Sequence, residues 1–258
     1  MNAASVSGEQ LKAGIQHFDS SIDNMEIGDI QASKSVRPLD KQLWSGNAFD
    51  RDSAERALKD AQPPSNFWYR VPTWLAGRWE SADATTFFMR DHQSGKIDNS
   101  RTPYPFRGRE SIGHQYDNQH RIWTYCRDYA WTRGRSSDSE VQSLLFYQHP
   151  LRVTQNEAIV LGRMAVFEVN AKGKITSSYK TEIIDTMSLQ DEDTMRDEQI
   201  KIVFNEQGKP VTTIKTEVFW KRIADFQPID EVKGVQLKPL FKSFLREHGM
   251  AGFADADQ

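Results

Sequence analysis

The sequence is short of cysteine, of long apolar runs and of excess charge, and each shortage removes a class of protein. Its single cysteine, Cys126, cannot close an intramolecular disulfide, so a reducing compartment, the cytoplasm, is expected. Export with a signal removed is the alternative. The chain lacks the apolar run of about 20 residues that a membrane-spanning helix needs, so a soluble protein is expected. A formal net charge of −3 argues against nucleic acid as a partner.

Motifs for nucleotide, hydrolase and metal chemistry are also missing from the sequence. It contains no Gly-x-Gly-x-x-Gly, P-loop or Gly-x-Ser-x-Gly element, which disfavours nucleotide-dependent enzymes and hydrolases. The six histidines include no helical His-x-x-x-His pair, so neither a metal nor a cofactor is predicted. The charged segment 191–198 lacks the alternating oxygen ligands and central glycine of a calcium loop, and we interpret it as a solvated turn.

What the sequence does contain is period-two alternation of apolar and polar residues from Trp79 onward. This pattern predicts strands at 79–91, 104–116, 121–133, 141–149, 157–169, 174–189, 198–205 and 211–223. Short turn segments such as Ser94-Gly95 and Ala171-Lys172-Gly173 separate them. The prediction is an all-β fold, an eight-stranded antiparallel up-and-down barrel.

Helical segments flank the predicted strands. Residues 1–65 form a polar extension, with one predicted helix at 8–25 and a second at 53–61 that Asp52 or Ser53 would cap. Residues 66–250 form the predicted barrel domain, which ends in an amphipathic helix at 238–248 closed by Gly249. Residues 251–258 are expected to be a flexible tail.

Two separated features of the sequence belong together. Gly77-Arg78-Trp79 follows a Trp74-Leu75 turn and opens the first predicted strand, and Arg222 ends the last one. With these features the chain resembles the lipocalins and the wider calycin group, over about residues 66–250. The resemblance implies that Trp79 plugs one end of a closed barrel and that the Arg222 side chain covers its ring.

The strand at 121–133 carries the strongest pattern of large side chains. Alternation puts Trp123, Tyr125, Arg127, Tyr129 and Trp131 on one face. If that face points inward, it forms an aromatic pocket in which Arg127 could fix a carboxylate or enolate. If it points outward, it suits a protein partner or single-stranded nucleic acid. Simple packing between strands is the third interpretation. The predicted ligand-binding residues are Trp123, Tyr125, Arg127, Tyr129, Trp131, Tyr147 and Tyr179.

Four residues are candidates for proton transfer or oxyanion stabilisation. His114 shares a strand face with Tyr116, and His149 shares one with Tyr147, which suits general acid–base pairs. Asp185 lies on the predicted interior face of the sixth strand, as a base or as a partner for Arg127. A position at the rim of the barrel is the alternative for both histidines and for Asp185.

The sequence thus leaves three functions open. The first is binding of a small apolar or aromatic molecule inside the barrel, without a cofactor. The second is a cofactor-independent isomerase, cyclase or lyase, in which Arg127 stabilises an oxyanion while His114, His149 or Asp185 moves a proton. The third is an interaction protein that docks through residues 1–65, with Phe18, Trp44 and Phe49 as apolar anchors.

Overall fold

The computed structural model describes residues 50–61, 66–126, 128–135, 139–205, 208–232 and 234–254. The helices within these ranges are α1 (Arg51–Ala61), α2 (Leu237–Glu247) and a 3-10 turn, Ala251–Phe253. The strands are β1 (Trp68–Arg70), β2 (Gly77–Asp91), β3 (Ile97–Asp98), β4 (Thr102–Ile112), β5 (Gln115–Tyr116), β6 (Ile122–Tyr125), β7 (Ala130–Arg135), β8 (Ser139–Val153), β9 (Glu157–Asn170), β10 (Ile175–Leu189), β11 (Thr194–Phe204), β12 (Pro210–Ala224), β13 (Glu231–Val232) and β14 (Val235–Gln236). The predicted helix at 8–25 lies outside the described residues, and so do the predicted anchors Phe18, Trp44 and Phe49.

One large antiparallel sheet dominates the structure. Its strands lie in the order β3-β2-β12-β11-β10-β9-β8-β7. Strand β4 also pairs with β2, on the edge that faces away from β12. Because β7 to β11 each pair with the next strand along the chain, the predicted up-and-down connectivity is confirmed. The pairing of β12 with β2 brings the last long strand beside the first. A second sheet, β1-β6-β5, holds the segment that links β4 to β7.

The predicted count of eight strands was wrong, because the described residues form fourteen, nine of them in the main sheet. Two predicted strands are each broken in the middle. Gly113, at φ 89°, separates β4 from β5, and Tyr129, at φ 62°, stands between β6 and β7. A side chain at Gly113 would place its Cβ 2.8 Å from the Phe226 ring, so only glycine fits that break.

The turns use the residues that the sequence indicated. Asn170 Oδ1 accepts hydrogen bonds from the backbone N–H of Lys172 and of Lys174, and Gly173 takes the positive φ that follows. Asp91 Oδ1 does the same for Gln93 and Ser94. Local side-chain to backbone bonds of this kind hold a hairpin turn without help from the rest of the fold.

Helix α1 begins two residues earlier than predicted, and its cap is Asp50 instead of Asp52 or Ser53. The Asp50 carboxylate accepts hydrogen bonds from the Asp52 backbone N–H and from the Ser53 hydroxyl. Ala54 and Leu58, one helical turn apart, are buried against the β8 and β9 side chains. This packing holds α1 on one face of the main sheet.

Helix α2 lies where the sequence placed it and covers the small sheet. Its Phe241, Phe244 and Leu245 pack against Trp68 and Trp123. Gly249, at φ 72°, follows the helix, as expected of a residue that ends one.

The 3-10 turn falls within the segment that was expected to be a flexible tail. Asn118 donates a hydrogen bond to Gly252 O, and the Arg121 guanidinium lies 4.1 Å from the centroid of the Phe253 ring.

Trp79 and Arg222 meet as the sequence led us to expect. Trp79 is fully buried, and its Nε1 donates a hydrogen bond to Leu75 O. The Arg222 guanidinium lies 4.3 Å from the centroid of the Trp79 ring and donates to Trp74 O and Ala76 O. The core next to this contact is apolar and includes Leu75, Met187, Met195 and Val218. No described helix is long and apolar enough to cross a membrane.

Candidate functional site

A cavity of about 70 Å³ lies above this apolar core, with room for a few water molecules. Its lining comes from both halves of the chain, because β4 and β6 contribute side chains opposite those of β10, β11 and β12. The apolar part of the lining includes Val160, Met187, Met195 and Trp220. Its polar part includes Glu110, His114, Thr124, Asp185, Asp197 and Gln199.

Asp185 and Asp197 lie on neighbouring strands and share one amide. In the register of β10 and β11, Asp185 faces Gln199 and Met187 faces Asp197. Gln199 Nε2 donates to Asp197 Oδ2 at 2.8 Å, and Trp220 Nε1 approaches the same oxygen at 3.4 Å. The other oxygen, Oδ1, of each aspartate is shielded from solvent and has no hydrogen-bond partner in the described part of the chain. Such orphaned acceptors are costly unless a proton, water or ligand satisfies them.

The pKa values of both aspartates are raised, mainly because burial penalises the charged form. Burial raises the pKa of Asp197 to about 7, against the lowering effect of its bonds from Gln199 and Trp220. Burial also raises the pKa of Asp185 well above its usual value, and the charges of Asp197 and Glu110 raise it further. Two neighbouring acidic groups with raised pKa values are a feature of many functional sites.

His114 reaches the cavity from the break between β4 and β5, and its ring is held by two contacts at Nδ1. Thr124 Oγ1 lies 2.8 Å from Nδ1, and the Tyr125 backbone N–H donates to the same nitrogen at 3.1 Å. The Thr124 hydroxyl also accepts from Gly113 N, which leaves its own proton for the histidine. We therefore assign the neutral Nε2–H tautomer to His114.

His149, the other histidine candidate, lies elsewhere. Its ring stacks on Tyr147, with centroids 4.3 Å apart, and also contacts Phe67 at 4.6 Å. The guanidinium of Arg163 lies 4.9 Å from the Tyr147 ring and forms an ion pair with Glu182. Burial, and then the charge of Arg163, lower the pKa of His149 to about 4. Of the catalytic candidates, His114 and Asp185 share the cavity, His149 does not, and Arg127 lies outside the described residues.

The aromatic side chains predicted to line a single pocket are divided among different parts of the fold. Tyr125 lines the cavity, whereas Trp123 is buried under α2. Tyr129 and Trp131 pack with α1, where Tyr129 Oη donates to Leu58 O and Trp131 Nε1 donates to Glu55. The break at Tyr129 separates Trp131 from Trp123 and Tyr125, because alternation cannot continue through a residue with positive φ. Tyr179 is half-buried on β10 and is not among the residues that line the cavity.

Asp197 was missed in the sequence, where the acidic residues around it were interpreted as a solvated turn. That interpretation was wrong for Asp197, which is 4% exposed. Strand β11 begins at Thr194, so Met195, Asp197 and Gln199 share one face. The alternation of these residues with Arg196 and Glu198 is the signal that could have identified the site.

Among the described residues, no group of three or more His, Cys, Asp or Glu side chains is placed to hold a metal ion. The site is thus a small cavity lined by two buried carboxyl groups, whose pKa values burial raises, and by an oriented imidazole. Comparison with models of protein families, with curated proteins and with solved structures finds no match for this chain.

Proposed function

We propose that this protein binds a small molecule in the interior cavity, and that its strands close around that cavity as a barrel of calycin type. The observation that carries the proposal is the pair of unpartnered oxygens, Asp185 Oδ1 and Asp197 Oδ1, on two side chains that line the cavity. Folded proteins rarely leave such acceptors unsatisfied, and binding sites are a common place for the exceptions.

Three contacts support barrel closure. The β12–β2 pairing joins the ends of the strand series, and the His114 backbone N–H donates to Trp123 O across the β5–β6 pair. The cation of Arg222 over Trp79 is the arrangement that the calycin resemblance implied.

The ligand chemistry that we propose differs from the apolar or aromatic molecule expected from the sequence. Of the predicted aromatic lining, Tyr125 alone is at the cavity, while Glu110, Asp185 and Asp197 are all there. A polar ligand that donates hydrogen bonds suits this lining better than a hydrocarbon does.

Native mass spectrometry of the purified protein, before and after unfolding, tests the proposal. We expect a small molecule that is released when the chain unfolds. Val160→Met should displace that molecule, because Val160 lines the cavity. Val166→Met is the matched control, since Val166 is also buried on β9 but does not line the cavity. Release that is equal in both variants, or no bound molecule together with no binding of added ligands, would contradict the proposal.

A second candidate is cofactor-independent proton transfer, such as isomerisation, cyclisation or elimination. It is favoured by the presence of the oriented His114 imidazole in the same cavity as Asp197, whose pKa lies near 7. If the bound molecule is incubated with the protein in deuterated water, this candidate requires deuterium to enter carbon-bound positions. Unchanged isotope content would leave binding as the function.

A further inference from the structure

We propose that the occupant of the cavity is a small organic cation that donates N–H hydrogen bonds to the carboxyl groups of Asp185 and Asp197. This inference rests on the proposed function and adds the chemical class of the ligand.

The first step of the argument is the polarity of the unpaired groups. The Asp197 side chain is almost fully buried, and its Oδ2 already accepts from Gln199. An ionised carboxylate can only accept hydrogen bonds. Two carboxyl groups that line one cavity, each with an unpartnered oxygen, therefore call for an occupant with at least two donors.

The second step is the sign of the charge. Three carboxyl groups, those of Glu110, Asp185 and Asp197, line the cavity, and its described lining contains no lysine or arginine. The remaining titratable groups that face it are the neutral His114 and the phenols of Tyr69 and Tyr125. Buried carboxylates need a counter-charge, and a cationic ligand supplies it.

The third step is size. A space of about 70 Å³, lined in part by Met187 and Met195, holds a head group with a short apolar part and excludes a long chain. Amidines, guanidines and short primary amines have this form, and a planar amidinium can span two carboxylates.

A consequence is that the cation competes with protons. Because the pKa values of Asp185 and Asp197 are raised, the carboxyl groups of the empty cavity keep protons to a higher pH than usual, and a bound cation displaces those protons. Binding should therefore strengthen as the pH rises through about 7.

The test uses three probes that differ in one property each. Acetamidinium carries charge and N–H donors, acetamide has nearly the same shape without the charge, and tetramethylammonium has the charge without N–H groups. Titration calorimetry at about pH 6 and pH 8, in buffers with different ionisation enthalpies, measures affinity and proton release. We expect acetamidinium to bind best, to release protons, and to bind more tightly at the higher pH.

Variants complete the test. Asp197→Asn and Asp185→Asn should each weaken acetamidinium binding by roughly tenfold or more. Asp83→Asn removes an exposed charge from β2 and should leave binding unchanged. Equal binding of acetamide or tetramethylammonium, or no effect of Asp197→Asn, would overturn the cation assignment.

The two proposals fail in distinguishable ways. A neutral or anionic molecule that is retained by the wild type and lost from Val160→Met overturns the cation assignment and leaves small-molecule binding intact. If no molecule co-purifies and none of the probes binds, both proposals are wrong.

Discussion

The Arg222 guanidinium lies 4.3 Å from the centroid of the Trp79 ring. Arg222 is on the last long strand, β12, and Trp79 is at the start of the first long strand, β2. The two residues are also direct partners in the β12–β2 register. One side chain therefore joins three segments, because it also donates to Trp74 O and Ala76 O at 2.6 and 2.5 Å. Contacts at this seam stabilise the junction between the two ends of the strand series.

Arg222→Lys should destabilise the protein although it keeps the charge. Lysine lacks the planar fork that reaches two carbonyl oxygens at once, so we expect a loss of about 2 kcal/mol in the free energy of unfolding, measured with urea. Arg109→Lys is the control, because Arg109 pairs with Glu80 on the exposed surface, and it should change stability by less than about 0.5 kcal/mol. Equal losses would show that the Arg222 fork has no special role.

Asp197→Asn should change how stability depends on pH. In the folded chain the pKa of Asp197 is raised from 3.8 to about 7, so the folded state binds this proton more tightly than the unfolded state does. Stability therefore falls as the pH rises from about 4 to about 7. Asparagine does not titrate, so the free energy of unfolding of the variant should rise relative to that of the wild type across this range, by about 4 kcal/mol at pH 8. Parallel stability curves, with Asp83→Asn as the reference, would contradict this.

His149→Phe should also change how stability depends on pH, over a similar pH range but in the opposite direction. Its pKa is lowered from 6.5 to about 4 in the folded state, so its contribution is complete above pH 6.5 and is lost as the pH falls toward 4. Phenylalanine keeps the stack on Tyr147 without taking up a proton. We expect the wild type to lose roughly 3 kcal/mol more of its free energy of unfolding than the variant over that range. His120→Asn changes an exposed histidine and should keep the wild-type slope.

Gly113→Ala should be strongly destabilising. The residue has φ 89°, and a Cβ there would lie 2.8 Å from the Phe226 ring and 2.9 Å from Ile122 Cγ2. We expect a loss of about 2–4 kcal/mol by thermal or urea unfolding. Gly134→Ala is the matched control on strand β7, since its nearest neighbour would be 3.9 Å away, and it should be close to neutral. A small effect at Gly113 would mean that the break between β4 and β5 can relax.

The sequence predicted the strand series well because alternation and turn chemistry are local. Six of the eight predicted strands correspond to single observed strands, and Asn170 and Gly173 build their hairpin turn from their own backbone contacts. The Trp79–Arg222 contact joins distant segments, and it was anticipated only through the calycin resemblance.

The breaks and the cavity could not be predicted in the same way because they depend on contacts between distant segments. Tyr129 is held at positive φ in a strand-like sequence, and its hydroxyl is bound by Leu58 O in α1, 71 residues away. Asp197 resembles a surface residue in its local sequence, and its burial follows from packing against Trp220 of β12. Propensity describes a residue's neighbours along the chain, whereas these positions are set by neighbours in space.

The pairing of the first long strand with the last has a mechanical consequence. Arg78 and Ala224 are partners at the same end of the β2–β12 pair. A force applied between these two residues acts perpendicular to the strands and breaks the backbone hydrogen bonds one after another. It does not load them all at once, as a force along the strands would. The β2–β12 pair should therefore separate at low force from this end. It should resist far more strongly when the force acts along the strands, between Arg78 and Thr212, which lie at opposite ends of the pair.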